Sequence, residues 1–124
     1  MKFVPVLLSV CIGLGAFSFS SETKANDQLA VTLCEYIAVD DKGRVRKALK
    51  SSRVKVRNIF GSIQCNGNNI LRHAIASNAV ETGKLIVKGL PKSALSDGAD
   101  IAWAESNGHG SSPLIAEIKK RAGL

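Results

Sequence analysis

Two of the three thiols, both imidazoles and a pair of adjacent carboxylates are the groups in this chain whose types and spacing could do chemistry. A Cys–His nucleophile would need Cys65 as a free thiol with His73 turned towards it. A turn and two helical turns separate the two, so the spacing places His73 on a partly exposed helix face instead. His109 stands in a Gly-Ser loop, Asn107-Gly108-His109-Gly110-Ser111-Ser112, with no carboxylate or second ligand nearby in sequence. Cys34, Cys65, His73 and His109 have no finger-type spacing, so they do not read as a zinc set. Asp40 and Asp41 adjoin in a turn, where capping a helix accounts for them without general acid–base work. No glycine-rich phosphate loop follows a strand. The expectation is a non-enzyme with no catalytic residue, no metal and no cofactor.

What those cysteines do depends on where the chain goes. Met1-Lys2 begins it, and an apolar run from Phe3 through Phe19 follows with no charge until Glu22. This pattern is that of a secretory signal peptide. Thr23-Lys24-Ala25 offers small residues at the two positions a signal peptidase reads, which puts cleavage after Ala25, with Ser20 as the second choice. The rival readings are a retained single-span anchor and a lipid-bearing Cys11. Leu8-Ser9-Val10-Cys11 approaches a lipobox, but Val10 is bulky for it and the apolar run continues past the cysteine. Removal of residues 1–25 leaves 99 residues, enough for one small domain. It also leaves two cysteines, Cys34 and Cys65, and export favours their pairing as a disulfide. A periplasmic or secreted location is expected.

Without the leader the chain carries fifteen basic and nine acidic residues, a net charge of +6. Eight of those fifteen cations fall within sixteen residues, from Lys42 to Arg57, with no acid among them. Arg44, Arg46, Lys47, Lys50, Arg53 and Arg57 form a candidate face for an anionic partner, either an envelope protein or an anionic surface. The plainer reading is a solvated outer face, since Val45, Ala48 and Leu49 recur between the cations at helical spacing. The absence of aromatics in the block argues against nucleic acid.

Several helices must position these groups. Asp27 can cap a first helix of about a dozen residues with Leu29, Leu33 and Ile37 inward. After the turn at Asp40-Asp41-Lys42-Gly43, a second runs from Gly43 to Lys50. Val56, Ile59, Phe60 and Ile63 follow the i, i+3, i+4, i+7 spacing, which predicts a third helix across Arg53 to Gln64, kinked near Gly61. Asn66-Gly67-Asn68 turns the chain, and Asn68 or Asn69 caps a fourth helix with Ile70, Leu71, Ala74 and Ile75 buried. A fifth covers Val80 to Lys88 and Gly89 ends it. Lys92 to Leu95 reads as a single turn, and Leu114 to Arg121 as a last helix opened by Ser112-Pro113. Three regions result: a signal peptide (1–25), a helical disulfide-stapled domain (26–95), and a less ordered C-terminal extension with a loop and short helix (96–124).

Gly67, Leu71, Ala74, Asn78, Leu85, Ile86 and Gly89 fall where an ankyrin-type helix pair places its turn glycine, aliphatics and closing glycine, although Asn69-Ile70-Leu71-Arg72 stands in place of Thr-Pro-Leu-His. Ala38, Val45, Leu49 and Val54-x-Val56 sketch an earlier copy. More closely, Leu33-Cys34-Glu35-Tyr36-Ile37-Ala38, Val56-Arg57-Asn58-Ile59-Phe60 and Ile63-Gln64-Cys65-Asn66-Gly67 resemble a family of small exported gammaproteobacterial proteins. That family is a domain of unknown function with paired cysteines and a Cys-Asn-Gly motif, covering about residues 27–95. The resemblance implies an exported disulfide-bearing domain and brings no catalytic residue. The fold expected is all-α, a small stacked helix-pair (ankyrin-like) domain with one disulfide. The function expected is a non-enzymatic interaction or envelope-associated module, of unknown oligomeric state. The alternative is a redox-active or ligand-binding protein that uses Cys34 and Cys65.

Overall fold

A computed structural model describes residues 28–124. The expected signal peptide, its cleavage site and Cys11 lie outside the described residues. A helix (α1) covers residues 28–38. It is followed by α2 (Lys42–Ser52), α3 (Val56–Ile59), β1 (Gln64–Cys65), β2 (Asn68–Asn69), α4 (Ile70–Ala76), α5 (Val80–Lys88), α6 (Lys92–Leu95), α7 (Ala99–Ser106) and α8 (Pro113–Ala122). None of these helices is long and apolar enough to cross a membrane.

Among the described residues the longer helices come in three pairs joined by turns: α1–α2, α4–α5 and α7–α8. α4 packs on α5 and α7, and α5 packs on α2 and α8. The second helices of the pairs, α2, α5 and α8, therefore lie side by side in one row. α4 and α7 belong to the other row, where α1 is tied to α4 by the Cys34 carbonyl and His73. One core runs through all three pairs, with Leu33, Ile37 and Val45 from the first, Leu71, Ala74 and Ile86 from the second, and Ile101, Ala104, Leu114 and Ile118 from the third.

Recurrent residues produce the stacking. Leu71 and Ala74 reappear thirty positions on as Ile101 and Ala104, and all four are buried. Leu33 and Ile37 stand thirty-eight positions before Leu71 and Ile75, and are buried likewise. Single pairs of helices this short could not bury their apolar stripes alone, and stacking supplies the missing surface. Gly83 lets α5 and α8 approach closely, because a Cβ there would overlap the fully buried Leu114 side chain. Residues 96–124, which the sequence suggests as a loosely ordered extension, thus form the third pair and supply Ile101, Leu114, Ile118 and Ala122 to the shared core.

Three local expectations change. The predicted third helix is one turn, Val56–Ile59. Arg53 caps α2 in the left-handed region at φ 55°, and Val54 and Lys55 stand between the two helices outside either. The apolar stripe that suggests the longer helix is still largely buried at Val56, Ile59 and Ile63. Second, Asn66-Gly67 is the tip of a hairpin, with Cys65 opposite Asn68 and Gln64 opposite Asn69. Both tip residues have positive φ, 55° and 82°, as a type I′ turn requires.

The third change concerns Asp40. Asp41 caps α2, accepting from the Arg44 amide at 3.1 Å. Asp40, held at φ 55°, caps a different helix. Its carboxylate accepts from the amides of Thr82 (2.8 Å) and Glu81 (3.4 Å) at the start of α5, where Ala79 offers no side-chain cap. Burial acts to raise the Asp40 pKa, but the hydrogen bonds from Thr82 and Glu81 outweigh it and hold the carboxyl below its usual value. A folded-state pKa below the unfolded one contributes stability above about pH 4, and that contribution is lost as pH falls through the folded value. Asp40→Ala is expected to lower unfolding stability by about 1–2 kcal/mol at pH 7. The gap from the parent should shrink in urea titrations at pH 3. Asp40→Asn, which tolerates the left-handed backbone and keeps an acceptor oxygen, should lose less; a loss on Asp40→Ala that is the same at pH 7 and pH 3 would rule out the charged cap.

Candidate functional site

The residues with chemical potential gather in three places. At the first, the hairpin carries Cys65 back to α1, where it is bonded to Cys34 with their Cα atoms 5.6 Å apart. Cys65 is buried and Cys34 half-buried. His73, which sequence spacing separates from the thiols, arrives beside them because the hairpin reverses the chain before α4 begins. Its Nε2 lies 2.9 Å from the Cys34 carbonyl oxygen. A carbonyl can only accept, so Nε2 carries the proton and donates. His73 and the disulfide share a shallow groove of about 380 Å³, with Ala30, Val31 and Ala38 along its α1 wall. Both sulfurs are committed to the bond, and the imidazole is committed to a backbone oxygen.

The second place is a polar knot between the second and third pairs. Asn69 caps α4 by accepting from the Arg72 amide at 2.7 Å. Its own amide donates to Asp100 Oδ1 at 3.0 Å, and Arg72 Nε donates to the same oxygen at 2.8 Å. The Asp100 side chain is 7% exposed and that of Arg72 28%. The Arg72 guanidinium also lies 5.6 Å from the centre of the Trp103 ring, and His109 stacks on that ring at 5.8 Å. His109, the free loop imidazole of the sequence reading, is thus an aromatic neighbour of the sole tryptophan. No group of three or more His, Cys, Asp or Glu suited to a metal ion occurs among the described residues.

The third place is the basic face. Arg44, Arg46, Lys47 and Lys50 lie on α2, Arg53 caps it and Arg57 lies on α3; all six are exposed. The amphipathic reading of α2 holds, with Val45 buried and Ala48 and Leu49 half-buried beneath the cations. Arg44 pairs with Asp41 at 3.4 Å and lies 5.6 Å from the Tyr36 ring centre. Among the described residues, none of the other five is within salt-bridge distance of a carboxylate. Arg57 and Lys55 further line a cleft with two cations that are distant in sequence, Lys88 and Arg121. Linear reading misses that meeting, because Lys88 and Arg121 close separate helices and each looks like an ordinary C-terminal cation.

A family model described as a protein of unknown function (DUF3718) matches residues 33–97, just over half of the chain. No curated protein matches the chain, and no solved structure does.

Proposed function

The chain belongs to the DUF3718 family of proteins of unknown function, and from that premise we propose that it is an exported, non-enzymatic module that associates with an anionic component of the cell envelope through the α2 face. The observation that carries this reading is the row Arg46, Lys47, Lys50, Arg53, exposed and without carboxylate partners among the described residues. A helix face of one sign, held by a buried apolar stripe, presents its charge to whatever approaches rather than to its own fold. The signal-peptide pattern and the Cys34–Cys65 bond support a periplasmic or secreted setting. The commitment of both thiols to a bond, and of both imidazoles to neighbouring groups, supports a non-catalytic role.

Cations near an anionic membrane surface are each worth about 1 kcal/mol at moderate ionic strength. The Arg46→Glu, Lys47→Glu, Lys50→Glu triple variant should therefore bind vesicles of phosphatidylglycerol and phosphatidylcholine more than tenfold more weakly than the parent. Parent binding should weaken as salt rises. A control carrying Lys119→Glu and Lys120→Glu, on the exposed side of α8, should bind like the parent. Equal retention of the triple variant and the parent in cosedimentation would overturn the reading.

A further inference from the structure

We propose that the cleft between α3 and the ends of α5 and α8 is a site for a lipid-borne phosphate monoester. Lys55, Arg57, Lys88 and Arg121 line it, and among the described residues no acid does. Its volume, about 470 Å³, lies in the range of small-ligand sites. Two of the cations come from the loop and single turn after α2, one from the last turn of α5 and one from the last turn of α8. A helix-terminal role accounts for Arg57, Lys88 and Arg121 separately, but it accounts neither for Lys55 nor for the meeting of all four.

The cleft is built rather than incidental. Arg121 Nε donates to the Leu90 carbonyl at 2.9 Å, which fixes the root of its guanidinium and leaves the two terminal nitrogens for an anion. Val56 is locked against the end of α5, where a Cβ on Gly89 would come within 2.8 Å of Val56 Cβ. The remaining lining, Val56, Gly89, Leu90 and Pro91, carries no polar side chain. Two guanidinium forks and two ammonium groups suit a doubly charged phosphate better than a single carboxylate. An apolar floor beside them suits the first carbons of an acyl ester better than bulk water. This inference rests on the anionic-envelope reading and specifies the headgroup and the site.

The test is a titration of the isotopically labelled protein with short-chain phosphatidic acid below its micelle concentration, followed by NMR. Saturable shifts are expected at the amides of residues 55–57 and 88–90 and at Arg121 Nε. Inorganic phosphate should shift the same signals with at least tenfold weaker affinity. Equal affinity for the two would overturn the lipid assignment in favour of free phosphate. Arg57→Gln and Arg121→Gln should each weaken phosphatidic acid binding at least fivefold, whereas the Arg46/Lys47/Lys50→Glu variant should stay within about threefold of the parent. Shifts that never saturate, or that spread equally to Lys119 and Lys120, would overturn the site. Because the α2 variant is read out on phosphatidylglycerol vesicles and the cleft variants on the soluble lipid, the failure of either idea is visible separately.

Discussion

Replacing Cys34 and Cys65 together by alanine is expected to lower the stability of the domain by about 3–4 kcal/mol, the loss calculated for opening a loop of this length. The cysteines stand 31 residues apart. The bond spans α2, α3 and the first strand of the hairpin, so its removal frees the unfolded chain over the whole connection between the first and second helix pairs. Domains of this size have total stabilities of about 5–15 kcal/mol, so the reduced protein should sit near the edge of folding. Urea unfolding of the parent and the double variant, compared at equal m-values, measures the difference. A loss below about 1 kcal/mol would mean that the unfolded chain keeps the two segments together without the bond. The same experiment bears on the redox alternative. With Cys65 buried and only Cys34 half-exposed, mild thiol reagents should reduce the bond slowly until denaturant is added.

Asp100→Ala is the second large effect expected, at about 2–4 kcal/mol. The substitution leaves two donors facing a vacated acceptor: the Asn69 amide and the Arg72 Nε. Stranding one buried donor costs about 1–3 kcal/mol, and breaking a buried ion pair from one side costs about 3–5 kcal/mol. The Arg72 side chain keeps 28% exposure, which places this case below the upper limit. Asp100→Asn retains an acceptor oxygen and should lose distinctly less. Trp103 is the only tryptophan and lies under the Arg72 guanidinium, so its fluorescence reports the local packing as well as the global transition. If Asp100→Ala unfolds with the midpoint of the parent, the knot is not a stabilising contact.

The stripes that set the helix rows were legible in the sequence. Ile70, Leu71, Ala74 and Ile75 are all buried as their spacing implies, and Val80–Lys88 ends at Gly89 as the glycine suggests. The disulfide followed from a count of two cysteines once the leader was set aside. Between Arg53 and Gln64 the burial was readable but the backbone was not. Val56, Ile59 and Ile63 fit a helical stripe, yet Gly61 and Ser62 are weak helix formers, and Cys65 must enter the hairpin extended to reach Cys34. Nothing local distinguishes a stripe on one helix from the same residues buried on either side of a turn. The third pair was hidden for another reason. Its Leu71-like and Ala74-like positions, Ile101 and Ala104, are followed by a long Gly-Ser loop that lacks apolar residues, so the copy looks like a tail. The partners of Asp40, Asp100 and His73 lie 42, 28 and 39 positions away in hydrogen-bond terms, and such pairings depend on the stack already being formed.

The placement of the Asp40 carboxylate has a consequence for how the molecule opens. In a simple stacked array each pair loses its structure nearly independently of its neighbours, and the ends fray first. Here the amide donors at the start of α5, in the middle pair, are satisfied by a residue next to the first pair's turn, and the disulfide ties the first pair covalently to the hairpin that leads into the middle one. The first pair therefore cannot peel away without exposing bare amides in the middle one. Asp100 gives the third pair a corresponding hold on the first turn of α4. These ties couple the opening of the outer pairs to that of α4 and α5, and amides in the outer helices are expected to exchange with solvent more slowly than in an array that frays from its ends.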